Sequence, residues 1–392
     1  MNTKAEKVVQ KMLFEYADEK YKNFMIKSLA TVDADKIIGV RTPNLIKVDK
    51  EFLNSEYKDA FLQSLPHKYY EENQVHGYLI TREKDRNKVF KLLDEFLPYV
   101  DNWATCDTFK PRVFDKNPPE IEKLRQWMKS EETYICRYGV GLLMGYYLDD
   151  LFKEEYLDDV VAIKSNEYYV NMMRAWFFAT AIAKQYERTL PYIEKQKLDI
   201  RTHNKSIQKA KESFRVPDEN KKYLDSLRIK NTDFTIRNAT AKDEDKILAL
   251  YQSVIGSKFC VWNDDYPTMQ EIKEDISNKN LFLLIYKKKI VGSLSIVSNN
   301  ELDEAVKWTI KDKCSEIARI VIAPKYQGSD LSKKLVSYAC DVIKSRKQKA
   351  VHLIVEVNNI PAQKIYEKCG FAVVGKCKMF GHTYFACEKN YK

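Results

Sequence analysis

The sequence has no apolar run of the roughly 18 residues that a membrane-spanning helix needs. Its first residues, Met-Asn-Thr-Lys-Ala-Glu-Lys, lack the apolar segment of a secretory signal peptide. It also contains no low-complexity segment and no charged tail. These absences lead us to expect a cytoplasmic protein without a membrane partner.

Patterns typical of metal sites are equally scarce. The eight cysteines include no Cys-x-x-Cys pair, and the chain has only five histidines. Structural zinc sites need closely spaced Cys and His ligands. We therefore predict no metal site, and we expect reduced, mostly buried thiols.

The length and charge of the chain favour two domains. At 392 residues it exceeds what one ordinary core accommodates, and a short polar connection at 229–233 suggests domains at 1–230 and 231–392. The net charge is +10, but the first domain holds 40 Lys and Arg against 37 Asp and Glu. A nucleic-acid partner is therefore permitted by charge but not required, and a phosphate-binding surface there depends on local clusters of basic residues.

Helical periodicity dominates residues 4–228, where apolar residues recur at steps of three and four. Trp103, Arg137 and Trp176 each lie on the second, more apolar helix of a pair, at spacings typical of HEAT-like repeats. Stacked helix pairs form a solenoid with one concave face. The first domain is therefore predicted to be an all-α, HEAT-like solenoid.

The second domain alternates strands and helices. An isolated strand at Phe234–Asn238 precedes a helix and then a hairpin that turns at Lys287 and Lys288. Further segments complete a predicted α+β unit: a strand at 316–323, a helix at 331–345, a strand at 351–357, a helix at 362–369 and two closing strands.

Trp103 and Asp107 form the first candidate site. Residues four apart share one helix face, and apolar residues upstream direct that face inward or into a groove. A carboxylate there must be paired, hydrated or shifted in pKa. The alternative is a helix capped by Asp101, a core tryptophan and a solvated aspartate.

Asp101-Asn-Trp-x-x-x-Asp107, Arg137 in an apolar helix and Ala175-Trp176 resemble the AlkD-type DNA alkylation repair glycosylases over residues 1–230. The resemblance implies a concave face that holds duplex DNA, excision of cationic N3- or N7-alkylpurines, and no cofactor. It also implies that Asp107 is the catalytic carboxylate, that Trp103 and Trp176 contact the deoxyribose and the flanking backbone, and that Arg137 clamps a phosphate or the backbone.

Physical chemistry is compatible with that assignment. Cleavage of a glycosidic bond develops positive charge on the sugar, and a nearby carboxylate stabilises it or orients water. Indole faces attract the same cation by about 0.5–2 kcal/mol each. The clustered charge that DNA requires is expected from four basic residues near the end of the domain. They are Lys205, Lys209, Lys211 and Arg215.

The first domain departs from that family at two places. Better-known relatives carry an arginine near the position of Ala179 or Thr180, and Ala104 stands where a second tryptophan is common. Loss of a phosphate contact weakens DNA binding or redirects it. A scaffold that binds DNA or protein without catalysis therefore stays open as an alternative, with the basic residues as a solvated helix face.

The second candidate site is a strand–turn–helix at 316–336. Free backbone amides at a helix N-terminus bind anions without side chains. With Asn359, Ala362 and the Tyr366-Glu-Lys-x-Gly370-Phe371 segment, this region resembles the GNAT acyltransferases over 233–391. The resemblance implies acetyl-coenzyme A as cofactor and an amine, on a small molecule or a protein, as acceptor.

The same resemblance assigns the residues of the second site. Asn359 would contact the cofactor arm, Tyr366 would protonate the leaving thiolate, and Glu316 would accept the amine proton; packed-core Tyr366 and surface Glu316 are the alternatives. The cofactor's pantetheine and pyrophosphate would lie on the backbone of two short segments. They are Ile320, Val321 and Ile322 for the pantetheine, and Gln327, Gly328, Ser329, Asp330, Leu331 and Ser332 for the pyrophosphate.

Asp330 and Ser332 replace small residues of the GNAT loop pattern. Ser332 is a reasonable helix opener, whereas Asp330 brings a negative charge beside a pyrophosphate and must point outward or weaken binding. Trp262, Tyr266 and Trp308 either line the acceptor side or belong to the core.

The sequence thus favours a bifunctional protein with a glycosylase-like domain and an N-acetyltransferase-like domain. One rival is an acetyltransferase whose repeats recruit a protein or nucleic acid. Another is a non-catalytic DNA scaffold with a degenerate acetyltransferase.

Overall fold

The computed structural model describes residues 3–298 and 300–391. The chain divides into two compact units. One comprises residues 1–197 and 205–227, and the other comprises 198–204 and 228–392. Residues 198–204 thus group with the second unit although they precede the predicted boundary at 230. No helix in the described ranges is long and apolar enough to cross a membrane.

The first unit is built of α-helices, as predicted. Three short 3-10 turns, at Ala34–Lys36, Leu97–Tyr99 and Arg112–Phe114, link some of them. Its helices are α1 Lys4–Phe14, α2 Glu19–Ser28, α3 Thr42–Phe52, α4 Lys58–Gln63, α5 Tyr70–Arg82, α6 Arg86–Phe96, α7 Trp103–Thr108, α8 Ile121–Met128, α9 Thr133–Tyr146, α10 Glu155–Ala162, α11 Tyr168–Lys184, α12 Tyr186–Glu194, α13 Ile200–Glu212, whose first residues belong to the second unit, and α14 Asp218–Ser226.

The predicted pairing, with the more apolar helix second, is found for Arg137, whose helix α9 packs on the preceding α8. Helix α11, which carries Trp176, packs on the following helix α12. The more apolar helices also follow one another, since α5 contacts α7, α7 contacts α9 and α9 contacts α11. This succession matters for function, because α7, α9 and α11 carry the residues of the first candidate site.

The second unit is one seven-stranded sheet with helices, which confirms the predicted α+β class. The strand order is β1-β2-β3-β4-β5-β7-β6, and every neighbouring pair is antiparallel except β4 and β5. The elements are β1 Phe234–Asn238, α15 Glu244–Gln252, α16 Met269–Ser277, β2 Leu281–Tyr286, β3 Lys289–Val297, α17 Asn300–Ala305, β4 Cys314–Ile322, α18 Leu331–Ser345, β5 Ala350–Glu356, α19 Ile360–Lys368, β6 Ala372–Met379 and β7 His382–Asn390.

The hairpin between β2 and β3 turns at the two predicted lysines. Lys287 and Lys288 both have positive φ, at 46° and 64°. Two consecutive left-handed residues form the turn whose twist matches antiparallel strands. The register then places Tyr286 opposite Lys289.

Strands β4 and β5 pair only at their first residues. The parallel register runs from Cys314 opposite Ala350 to Glu316 opposite His352, and then the strands separate. On its other edge β4 continues along β3 as far as Ile322. Strand β4 therefore splays from β5 beyond Glu316.

Two helices of this unit, α16 and α17, lie outside the predicted elements. Helix α16 begins with a capping box, in which Thr268 and Glu271 exchange hydrogen bonds with each other's backbone. The Thr-x-x-Glu spacing of this box is visible in the sequence. The sequence therefore contains a helix-start signal for α16, which the predicted elements did not include.

Candidate functional sites

Helix α7 starts at Trp103 because Asn102 caps it. The Asn102 Oδ1 atom accepts a hydrogen bond of 2.8 Å from the backbone amide of Thr105, and its Nδ2 donates to the Asp101 carboxylate at 2.8 Å. The alternative that named Asp101 as the cap is wrong, since Asp101 only holds the capping side chain. Asn102 is fully buried, so the position of the helix start is fixed.

Asp107, one turn further on, is paired with Arg137 of α9. The Arg137 Nε atom donates to Asp107 Oδ1 at 2.8 Å, and Nη2 donates to Oδ2 at 2.6 Å. Such a two-pronged contact fits the planar guanidinium to the carboxylate and fixes its orientation. The Asp107 side chain keeps 24% of its surface exposed, whereas Arg137 keeps 2%.

Arg137 cannot serve as the expected phosphate clamp in this arrangement. Its remaining Nη1 donates to the backbone oxygen of Tyr169 at 2.6 Å, and the side chain is buried. Burial disfavours its charge, but the hydrogen bonds and charge of Asp107 outweigh that effect and raise the pKa of Arg137. Arg137 therefore acts within the domain, where it joins α7, α9 and the start of α11.

Trp176 on α11 completes the cluster, and we name Asp107, Arg137 and Trp176 together the acid–indole cluster. The Arg137 guanidinium lies 5.5 Å from the centroid of the half-buried Trp176 ring. The Lys209 ammonium lies 5.6 Å from the same ring. Of the four residues of the first candidate site, the acid, the guanidinium and one of the two indoles thus lie together.

Trp103 is anchored differently from Trp176. Its Nε1 donates to the backbone oxygen of Ser28 at 3.3 Å, and the ring packs against an apolar group that includes Leu29 and Ile37. The half-buried ring therefore has a structural anchor on the α2 side, one turn before Asp107 on the same helix.

A pocket of about 290 Å³ opens beside Trp176. Ala179 and Thr180 form part of its wall, and Lys209 and Arg215 supply positive charge there. Glu212, which accepts a hydrogen bond from Lys209 at 3.1 Å, partly offsets that charge. The small side chains of Ala179 and Thr180 on α11 thus line the same pocket as the positively charged Lys209 and Arg215.

The four predicted DNA-binding residues do not all line that pocket. Lys211 is ion-paired with Asp225 at 2.5 Å and lines a separate pocket of about 400 Å³ with Lys221 and Lys222. Lys205 donates to Gln208 at 2.8 Å.

In the second unit, the turn predicted to bind an anion lies between β4 and α18. Gly328 adopts a φ of +69°, which permits the turn, and the first amides of α18 have no acceptor within the helix. The amide of Gln327, however, donates to the backbone oxygen of Pro324 at 3.2 Å. Gln327 is therefore wrong as a pyrophosphate ligand through its amide, and the available set starts at Gly328.

Asp330 is the residue that directly precedes α18. It is exposed, and its carboxylate makes no capping hydrogen bond to α18. Of the two expected outcomes for this residue, the structure favours the outward orientation. Ser332 lies in the first turn of α18, half-buried.

The backbone of Ile320, Val321 and Ile322 lies where β4 has left β5. Val321 and Ile322 pair with Ser293 and Gly292 of β3 on one edge. On the other edge the parallel ladder ended at Glu316. An extended amide-bearing group such as pantetheine fits an open strand edge, because that edge supplies both donors and acceptors.

Tyr366 is half-buried on α19, packed against the main core of the unit. Burial raises the pKa of Tyr366, so its hydroxyl stays protonated at neutral pH. Within the described ranges that hydroxyl has no hydrogen-bond partner. Glu316 is 8% exposed on β4, beside His352 of β5; the alternative of a surface carboxylate is therefore wrong.

Asn359 has a structural role in this state. Its Oδ1 caps α19 by accepting from the Ala362 amide at 3.2 Å, and its Nδ2 donates to the backbone oxygen of Phe259 at 3.3 Å. One amide hydrogen is left for a cofactor contact.

The aromatic residues considered for the acceptor side divide into core and surface. Trp308 is 4% exposed and stacks on His352 with ring centroids 3.9 Å apart, so it belongs to the core. Tyr266 is 41% exposed, and its hydroxyl accepts a hydrogen bond from Arg319 at 3.0 Å. Trp262 is partly buried, against Tyr251.

A third group of residues escaped the sequence analysis. Glu6, His67 and Glu72 place one potential metal-ligand atom each within 4.8 Å of one another. Their wide sequence spacing matches no metal motif, so only the fold reveals the group. The prediction of no metal site therefore stays untested, and this group is a candidate that the Cys and His spacings do not indicate.

Comparison with protein families agrees with both resemblances. A family model described as "DNA alkylation repair enzyme" matches residues 9–207, and one described as "Acetyltransferase (GNAT) family" matches residues 247–371. The chain therefore belongs to the DNA alkylation repair enzyme family, and it carries a GNAT acetyltransferase domain after that region.

Individual relatives match the acetyltransferase part. A Bacillus subtilis (strain 168) protein named "Putative ribosomal protein bS18-alanine N-acetyltransferase" is 35% identical over 63 residues, which are 16% of this chain and 41% of that protein. The chain thus spans about two fifths of that relative's length.

Solved structures match the same part. A GNAT-family acetyltransferase from Streptococcus agalactiae 2603 is 21% identical, with a TM-score of 0.36 over 41% of this chain and 96% of that one. A Salmonella typhimurium "putative acetyltransferase" solved with acetyl-CoA is 17% identical, with a TM-score of 0.34 over 41% and 94%.

Proposed function

We propose that the protein is bifunctional. Its first domain excises cationic N3- or N7-alkylpurines from duplex DNA, and its second transfers an acetyl group from acetyl-CoA to an amine. A cytoplasmic location is part of the proposal. The observation that carries the first activity is that Asp107 keeps 24% of its side-chain surface exposed while it forms one cluster with Arg137 and Trp176.

In the first reaction the bond between C1′ of the sugar and the purine nitrogen breaks. The bonding electrons pass to the purine, which neutralises its positive charge, and the sugar becomes an oxocarbenium ion. Asp107 stabilises that ion or orients the water that attacks C1′, and the proton of that water passes to solvent or to the carboxylate. Trp176 presents an indole face to the same positive charge.

Arg137 gives Asp107 its orientation in this scheme. A carboxylate held by two hydrogen bonds needs little rearrangement when charge develops nearby, which lowers the reorganisation cost. The same bonds offset part of its negative charge. This is sufficient for a cationic alkylpurine, since such a base already leaves readily.

For the second reaction, acetyl-CoA supplies an activated thioester, and the chain's residues fit it in three places. The amides from Gly328 to Ser332 suit a pyrophosphate, and the open edge of β4 suits the pantetheine. Tyr366, whose pKa is raised, holds a proton for the departing thiolate. Glu316 accepts the proton that the amine loses, directly or through water.

Two measurements test the proposal. Incubation with duplex DNA that contains N7-methylguanine should release the free base and leave an abasic site; no product at low salt would remove the first activity. Acetyl-CoA should raise the melting temperature; no shift at millimolar ligand would reduce the second domain to a fold without chemistry.

The second candidate function is an acetyltransferase whose helical repeats serve as a DNA- or protein-binding adaptor. One observation favours it: both oxygens of Asp107 are already bonded to Arg137. Specific DNA binding without base release would support this adaptor.

A further inference from the structure

Glu6, His67 and Glu72 form a buried group in the first unit, and we name it the Glu–His–Glu cluster. Their exposed fractions are 7%, 9% and 0%. Glu6 belongs to the first turn of α1, His67 precedes α5, and Glu72 lies in the first turn of α5. One ligand atom from each lies within 4.8 Å of the other two.

Two buried carboxylates side by side need a compensating positive charge. Burial penalises an ionised carboxylate strongly unless it is paired, and two such groups in one site repel each other. Within residues 3–298 and 300–391, neither Glu6 nor Glu72 forms a salt bridge with lysine or arginine. The hydrogen bonds they accept come from neutral groups, namely the Thr3 amide, the Tyr69 amide and the Gln10 side chain.

His67 provides an independent indication of a ligand. Its Nε2 lies 2.8 Å from Nδ1 of His76, so that ring nitrogen is already used. Its Nδ1 is buried and has no hydrogen-bond partner among the described residues. A histidine with a buried, unpartnered ring nitrogen and two neighbouring carboxylates together form a donor set for a cation.

We propose that the Glu–His–Glu cluster binds one divalent metal ion, of the kind represented by Zn²⁺ and Mn²⁺. Imidazole and carboxylate oxygen are ligands that such ions accept together. The ion neutralises both carboxylates and coordinates Nδ1 of His67.

The His67–His76 contact supports this role. When Nδ1 of His67 coordinates a metal, its Nε2 carries the proton and donates it to Nδ1 of His76. A metal-ligating histidine commonly donates its other N–H in this way, which fixes the ring and raises its basicity. The ring is also held by Phe61, stacked at a centroid distance of 4.3 Å.

The site is structural in this proposal. It ties α1 to the start of α5, two helices that are distant in sequence, and the three ligands leave little surface for a substrate. Its presence is independent of whether the domain excises bases. The proposal therefore survives or fails separately from the proposed function.

The test uses the full chain, treated with a chelator, dialysed, and then supplied with Zn²⁺ or Mn²⁺. Metal analysis should find one ion per chain. The melting temperature should rise by roughly 5–10 °C at a metal concentration about 100 times the Kd. His67→Gln should lose both effects, whereas His382→Gln, which changes an exposed histidine, should keep both.

Glu6→Gln is a second variant, which keeps the test decisive if His67→Gln fails to fold. Glutamine still accepts the Thr3 hydrogen bond but removes one charge of the cluster. In chelator this variant should melt at or above the wild-type temperature, and with metal it should melt below the wild type. The proposal is overturned if wild type binds no more metal than His67→Gln, or if chelator leaves its melting temperature unchanged.

Discussion

Arg137 illustrates how one buried residue constrains a site. Each of its three guanidinium nitrogens donates a hydrogen bond, two to Asp107 and one to the Tyr169 carbonyl, and these contacts fix its orientation. A buried cation that loses its partner is costly, because neither water nor another acid replaces it. Asp107 therefore affects both the stability of the domain and its chemistry.

The stability of the first domain should depend on this pair. Asp107→Ala leaves Arg137 buried without its carboxylate, and we expect a loss of about 3–5 kcal/mol in the free energy of unfolding. Urea denaturation of the full chain measures it. The matched control is Asp150→Ala, an exposed aspartate after α9, with an expected change within about 0.5 kcal/mol. Equal effects of the two variants would contradict the importance of the buried pair.

Asp243 gives a pH-dependent prediction in the second domain. Two hydrogen bonds of 2.8 Å from Arg237 hold the pKa of Asp243 well below its usual value, although burial opposes this. Because the folded pKa is the lower one, the stabilisation is complete above the unfolded pKa of about 4 and is lost as the pH falls through the folded pKa.

We therefore expect Asp243→Asn to destabilise the second domain at pH 6 and to differ progressively less from wild type as the pH falls below about 4. Thermal melts across this pH range provide the measurement. A difference that stays constant with pH would show that the carboxylate's charge is not involved.

Elements that depend on local patterns were predictable. The hairpin at Lys287 and Lys288, the start of α18 at Leu331 and the helical character of residues 4–228 all follow from neighbouring residues. What escaped prediction depends on contacts distant in sequence. No local pattern reports that Arg137 reaches Tyr169, or that Glu6 lies beside His67.

The turn before α18 provides a prediction at the level of an element. Gly328→Ala places a side chain at a φ of +69°, and its Cβ would lie 3.2 Å from Cδ of Arg201. A left-handed non-glycine residue costs about 1–2 kcal/mol, so acetyl-CoA affinity should fall about tenfold. Isothermal titration measures the Kd.

Gly375→Ala is the control for that experiment, because its added Cβ meets no atom within 4 Å and the position needs no left-handed conformation. Its affinity for acetyl-CoA should match wild type. An unchanged Kd for Gly328→Ala would show that the turn does not hold the cofactor.

The pocket beside Trp176, which is lined by α11 and the last part of α13, provides a second prediction at the level of an element. Arg215 lines the Trp176 pocket, whereas Lys222 lines the other basic pocket. If Arg215 contacts a DNA phosphate, Arg215→Ala should reduce the slope of log K against log salt by about 0.9. Lys222→Ala should leave that slope unchanged; the reverse pattern would place the DNA on the other pocket.

The whole molecule combines two families in one chain, each with its own set of residues. The acid–indole cluster and the turn before α18 belong to different compact units. Composition and periodicity were sufficient to predict this division into an all-α and an α+β part. They did not reveal that Asp107 is paired, because its partner is supplied by another helix.

Single-turnover release of 7-methylguanine from duplex DNA tests the central claim most directly. Wild type and Tyr366→Phe should release the base at equal rates, whereas Asp107→Asn should be slower by at least about 100-fold. Folding of each variant is checked by its melting temperature and DNA affinity. Equal rates for wild type and a folded Asp107→Asn would contradict the assignment of the acid–indole cluster as an excision site.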